Sequence, residues 1–95
     1  MAVKVIIDRK VKKGKESEFF ELLKELRSKA LSARGYISGE TLRALSDQHN
    51  YIAVATWQSI DDWKNWEKNS ERKEIQARIE KLMMRSTKTK IYVYA

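Results

Sequence analysis

Residues 51–57, Tyr-Ile-Ala-Val-Ala-Thr-Trp, place apolar or aromatic side chains on both faces of any strand they form. A sheet with one wet face shows a polar residue at every second position, so this strand has to be covered from two sides. The final stretch, Thr89-Lys90-Ile91-Tyr92-Val93-Tyr94, has a similar character. A fold for this chain must therefore find two covers for its sheet.

The remaining pattern supplies one of them. Residues 2–11 alternate, with Val3, Val5 and Ile7 on one face, and read as a first strand that Gly14 ends in a turn. From 16 to 33, Phe19, Leu22, Leu23, Leu26 and Ala30 recur at helical spacing, while Glu18, Glu21, Lys24, Glu25 and Lys29 lie away from them. This amphipathic helix ends near Gly35. Residues 36–46 form a weaker strand, and the polar cluster Ser46-Asp47-Gln48-His49-Asn50 is a hairpin turn into the strand at 51–57. A helix carrying Trp63 and Trp66 follows, Ser70 is expected to cap another with the stripe Ile75, Ile79, Leu82 and Met83, and a strand closes the chain. The order strand, helix, strand, strand, helix, strand predicts a single α+β domain over 1–95 of the ferredoxin-like kind. Its sheet has four antiparallel strands with helices on one face. One chain has helices for that face alone, so a second copy packing sheet against sheet is the simplest second cover.

Composition removes several classes of function. The chain has 95 residues, no cysteine and one histidine. Disulfides, thiolate catalysis and cysteine-bound metal centres are excluded, and imidazole metal sites have too few ligands. No stretch approaches the roughly 20 apolar residues that span a bilayer, and none at the N-terminus reads as a secretory signal, so no membrane partner and a cytoplasmic location are expected. The net charge is +7, with Arg9, Lys10, Lys12, Lys13 and Lys15 crowded together, and this run reads as a solvated segment. RNA-recognition domains share the order of elements, but their third strand carries a basic-Gly-aromatic motif and stacking aromatics. Residues 50–57 have no glycine and no alternating aromatic pair, and the first strand has no aromatic, so no nucleic-acid partner is expected.

All three tryptophans fall in Trp57-Gln58-Ser59-Ile60-Asp61-Asp62-Trp63-Lys64-Asn65-Trp66, where a strand hands over to a helix, and Ser59 with Asp62 is a helix-start signature. An aromatic-ended strand, then Trp-x-Ser, then a short helix bearing another Trp and an Asn69-Ser70 break resembles the antibiotic biosynthesis monooxygenase family of dimeric α/β-barrel proteins. The resemblance implies a homodimer with its sheets paired into a shared barrel and its helices outside. It also implies oxygenase chemistry on small aromatic or quinol-like molecules, without metal, flavin or other cofactor.

The haem-degrading branch of that family uses an asparagine on the first strand and a histidine ten residues beyond the pocket tryptophan. Here those places hold Ile7 and Gln76, and a glutamine amide is a poor iron ligand, so haem degradation is not expected. His49 lies in a turn and does not substitute. For an oxygenase, the pocket must exclude water and hydrogen-bond a developing oxyanion. The candidate catalytic residues are Trp66, Arg72 and Gln76, with Trp66, Asn69 and Tyr36 as substrate contacts. Trp57 and Trp63 are expected in the core, and Glu71 and Glu74 in solvent, leaving no clear general base. The rival reading is a non-catalytic dimeric barrel that binds a hydrophobic ligand or a partner.

Overall fold

The computed structural model describes residues 1–95. Its elements are β1 (Val3–Lys10), α1 (Glu16–Ala30), β2 (Tyr36–Arg43), β3 (Asn50–Trp57), α2 (Ile60–Lys68), α3 (Ser70–Glu80) and β4 (Lys88–Val93). The strands form one antiparallel sheet in the order β2-β3-β1-β4, which is the ferredoxin-like arrangement. No helix is long and apolar enough to cross a membrane.

Local chemistry explains where the elements begin and end. Acidic Glu16 and Glu18 open α1 and basic Arg27 and Lys29 close it, each charge opposing the nearer end of the helix dipole. Gly35 then turns the chain at φ +83°, a conformation that costs a side-chain-bearing residue, and a Cβ there would also run into the Asp62 carboxylate. Ser59 caps α2, its hydroxyl accepting from the Asp62 amide at 3.1 Å. The helical stretch after Trp57 is two helices, and the second is capped one residue earlier than Ser70. Asn69 leaves helical geometry, and its Oδ1 accepts from the amides of Glu71 and Arg72 at 2.9 and 3.0 Å. Asparagine is among the best residues for that position, because its oxygen reaches amides with no partner inside the helix.

The inner face of the sheet packs on the helices in two clusters. Val3, Val5, Ile7, Trp57, Trp63, Trp66 and Ala30 form one, and Val11, Phe19, Leu22, Tyr51, Ile75, Ile79, Leu82 and Met83 the other, with Leu26 touching both. Leu82 and Met83 lie just past α3, where Met83 bridges to Val11. The sequence stripe is thus buried, although its last two residues are not helical.

The outer face is uncovered. By register Leu42 lies beside Ile52 and Val54 beside Ile6, so an apolar strip crosses the middle of this face, flanked by Glu40, Asp8 and Lys90, with Tyr92 beside Lys4 at the β4 edge. Leu42 and Tyr92 are half exposed, and on the other face of β4 so are Ile91 and Val93. Leaving this surface in water forfeits hydrophobic free energy of about 25 cal/mol per Å². We therefore expect a homodimer. Light scattering coupled to size exclusion at micromolar concentration should return twice the 11.2 kDa chain mass. A folded monomer would remove the paired-sheet barrel.

Candidate functional site

A cavity of about 420 Å³ lies between α1 and the β2–β3 side of the sheet. Its origin is legible in the side chains of β3 that face the helices, Tyr51, Ala53, Ala55 and Trp57, which are large at both ends and small between. Gly39 pairs with Ala55 and Thr41 with Ala53, so the small floor continues onto β2. Alanine and glycine are poor strand residues, and here they cannot reach the helix above, where Leu23, Leu26 and Ala30 form the roof. Ala53 and Ala55 stay partly exposed beneath α1 because the cavity stands over them. Exposed Phe20, Lys24, Arg27 and Arg43 surround the mouth, beside the edge strand β2.

One end of the cavity is aromatic. Trp66 stacks on Trp57 with ring centroids 6.1 Å apart and planes 26° from parallel, while Trp63 and Tyr36 meet Trp57 edge-on at 6.0 and 5.2 Å. All four line the cavity. The Nε1 groups of Trp57 and Trp63 are buried with no acceptor, and an unpaired buried donor costs about 1–3 kcal/mol. Gly39 makes room for Tyr36, whose hydroxyl would lie 2.6 Å from a Cβ added at that position.

The other end is cationic. Arg9 lies in the cavity wall, is 2% exposed, and gives one hydrogen bond, from Nη2 to Gln76 Oε1 at 2.7 Å. Its Nε is buried without an acceptor. Burial pushes the guanidinium pKa down to about 10, the like charge of Arg72 adds to that, and Glu80 opposes it, so Arg9 remains a cation at neutral pH. This corrects the expectation that the basic run is solvated throughout. Lys12, Lys13 and Lys15 are exposed, but Arg9 continues the inward phase of Val3, Val5 and Ile7 and faces the helices.

The structure brings Trp66 and Tyr36 to the cavity and leaves Asn69, Arg72 and Gln76 outside its lining. Each of the three has another task. Asn69 is exposed and spends its side-chain oxygen on the α3 cap. Arg72 lies over the Trp63 ring, 5.3 Å from its centroid, and its burial lowers its pKa, with Glu67 opposing. Gln76 accepts from Arg9 and donates to Glu80 Oε1 at 2.8 Å and Thr87 Oγ1 at 3.2 Å, which fixes Arg9 from behind. Trp57 and Trp63 are core residues, each 1% exposed, and they are cavity wall as well. Glu71 and Glu74 are exposed, and Glu71 pairs with Lys29 at 2.7 Å. His49 is more enclosed than a free turn residue, with Nδ1 3.6 Å from Glu16 Oε1. Sequence reasoning missed Arg9, Phe20, Ala53 and Ala55. For Arg9 the signal was its phase, and for the alanines it was two small residues set between two aromatics on one strand face.

The sequence profile of the family described as antibiotic biosynthesis monooxygenase matches residues 2–78. No curated protein matches the chain. Among solved structures, a conserved protein from Methanosarcina mazei Go1 is similar, with 23% identity, a TM-score of 0.92, and 97% of this chain and 91% of that one covered. SnoaB, a cofactor-independent oxygenase from Streptomyces nogalater, gives 14% identity, a TM-score of 0.88, and 99% and 93% covered. A protein of Mycobacterium tuberculosis gives 13% identity, a TM-score of 0.90, and 100% and 96% covered. At such identities the likeness establishes a shared fold, and the profile match establishes kinship.

Proposed function

The chain belongs to the antibiotic biosynthesis monooxygenase family, and from that premise we propose that it oxidises a small aromatic or quinol-like substrate in the cavity under α1, without a cofactor. The observation that carries this reading is a chamber of about 420 Å³ whose inner end is built from Trp57, Trp63, Trp66 and Tyr36, with two indole N–H groups lacking acceptors. Apolar walls with a few convergent polar groups suit a flat aromatic ligand. SnoaB is a cofactor-independent oxygenase, and its likeness in fold supports the reaction type.

The chemistry asks little of the protein. An anthrone-type substrate loses a proton from its activated CH₂ carbon, and the electron-rich anion reacts with dioxygen. One oxygen atom stays as a new carbonyl, the other leaves as water with the two hydrogens of the CH₂ group, and the substrate supplies the electrons. The pocket's part is to keep water out and to hydrogen-bond the anionic oxygen as charge builds on it. Trp66 and Tyr36 contact the substrate in this reading, and the neutral side-chain donors in the lining are the indoles of Trp57, Trp63 and Trp66 and the hydroxyls of Tyr36, Thr41 and Tyr51. Arg72 and Gln76 act one layer back, by holding Trp63 and Arg9. Glu40 is the only carboxylate in the lining and is exposed at the edge, so the reading calls for a substrate acidic enough to ionise without a dedicated base.

Oxygen-electrode rates with anthrone and 1,4-dihydroxynaphthalene test the proposal. The unmodified protein should consume oxygen well above the buffer rate. Trp66→Phe keeps an aromatic ring while removing the indole N–H and part of the stacking surface, so it should slow uptake about 10-fold or more with little change in melting temperature. Absence of uptake with every aromatic reductant tried would leave the non-catalytic, ligand-binding barrel as the function.

A further inference from the structure

We propose that the cavity selects an aromatic molecule bearing a carboxylate, with the rings against Trp57 and Trp66 and the carboxylate on the Arg9 guanidinium. This rests on the cavity being the substrate site and adds the class of substrate. The inner wall is polarised along β3. Tyr36, Trp57 and Val3 share one row of the sheet, and Arg43, Tyr51 and Arg9 share another, six residues away. At about 3.3 Å per residue the rows are about 20 Å apart between backbones, and the side chains reach inward from both ends. Between them the floor is Ala53, Ala55, Gly39 and Thr41, which are small and leave space, and the Thr41 hydroxyl is the one polar side-chain group among them.

Positive charge around the cavity outnumbers negative. The lining holds Arg9, Lys24, Arg27 and Arg43 against the single carboxylate of Glu40, and no acidic side chain lies within salt-bridge distance, 4.0 Å, of any of the four. Arg27 is tied only to a neutral group, the Gly39 carbonyl, at 2.9 Å. Arg9 is the decisive residue because it is not merely a rim cation. A guanidinium has five N–H donors, and the fold supplies this one with a single acceptor, the neutral amide oxygen of Gln76. Glu80 stands behind that amide, accepting from Gln76 Nε2 and from the Thr87 amide, so it orients Gln76 without itself pairing with Arg9. A buried cation that serves only packing is normally given a carboxylate. Arg9 instead stands in a cavity wall with one arm held by Gln76 and its Nε without an acceptor, so a guanidinium suited to carboxylates keeps donors to spare.

Binding of 2-naphthoate and of 2-naphthamide, its neutral counterpart of nearly the same shape, should be compared by quenching of the tryptophan fluorescence. The unmodified protein is expected to bind the carboxylate at least about 10-fold more tightly. Arg9→Gln should bring the two affinities within about 2-fold by weakening the naphthoate alone, while Arg9→Lys keeps part of the preference. Equal affinities in the unmodified protein would overturn the inference, and that comparison needs no variant to fold. So would a preference that survives Arg9→Gln in a protein with an unchanged melting profile. Oxygen uptake with 1,4-dihydroxy-2-naphthoate against 1,4-dihydroxynaphthalene separates this inference from the oxygenase reading. Turnover of both at equal efficiency sinks the carboxylate preference and keeps the oxygenase, whereas selective naphthoate binding with no uptake sinks the oxygenase and keeps the anion site.

Discussion

Trp57→Ala and Trp63→Ala are each expected to cost about 3–5 kcal/mol of folding stability, against the 5–15 kcal/mol typical of a whole domain. Trp57 is 1% exposed at the end of a central strand, and Tyr36, Trp63 and Trp66 all pack on its ring. Removing it leaves a void that three other aromatics line and cannot close, so the lost transfer energy and the cavity term add. Trp63 is equally buried, and its loss would also strip Arg72 of the ring beneath its guanidinium. At about 4–8 °C per kcal/mol for a domain of this size, melting should fall by roughly 12 °C or more. Trp57→Phe should cost much less, because the indole N–H it discards has no acceptor to lose. Urea and thermal melts check both. A loss under about 1 kcal/mol for the alanine variants would mean that the rings border the cavity without supporting the fold.

The order of elements was legible because each one repeats its signal several times: alternation in β1, a helical stripe in α1, a polar turn between β2 and β3. The Ser59 cap was legible because its Asp62 partner stands three residues on. The Asn69 cap was harder, since Asn69 and Ser70 are adjacent and both residue types suit a cap, and the choice depends on where the backbone leaves helical geometry. Arg9 shows a different gap. Its place in a basic run argued for solvent, and its phase with Val5 and Ile7 argued for burial. Phase prevailed because the pairing of β1 with β3 on one side and β4 on the other fixes the face of every residue in the strand. Asn69, Arg72 and Gln76 were placed near Trp66 by counting along the chain, but after the Asn69 break α3 sets Arg72 and Gln76 behind the lining residues Trp63 and Arg9. A cavity depends on what is missing between elements far apart in sequence, and one strand's periodicity cannot report it. Two alanines between two aromatics on β3 were its only local trace.

Those alanines carry the most discriminating prediction. Ala55→Leu, alone or with Ala53→Leu, should abolish most ligand binding and turnover while leaving stability nearly unchanged. A larger side chain in a filled core strains its neighbours by about 1–3 kcal/mol, but above Ala55 there is open space, so added methyl groups gain contacts instead of forcing clashes. The same groups occupy the middle of the chamber, between the tryptophan end and Arg9, where a flat ligand reaching both ends would have to lie. A displacement of about 1 Å from the reactive position can cost about 100-fold in rate, and blocking the floor displaces a ring system by more than that. Melting temperature should therefore hold steady or rise, while naphthoate binding weakens and oxygen uptake falls by about 100-fold or more. Few mutations separate the two quantities so widely, because most that impair a site also loosen the fold. If the variants bind naphthoate and turn over substrate as the unmodified protein does, the chemistry lies elsewhere, and the space beneath α1 is only a packing gap between β2 and the helix.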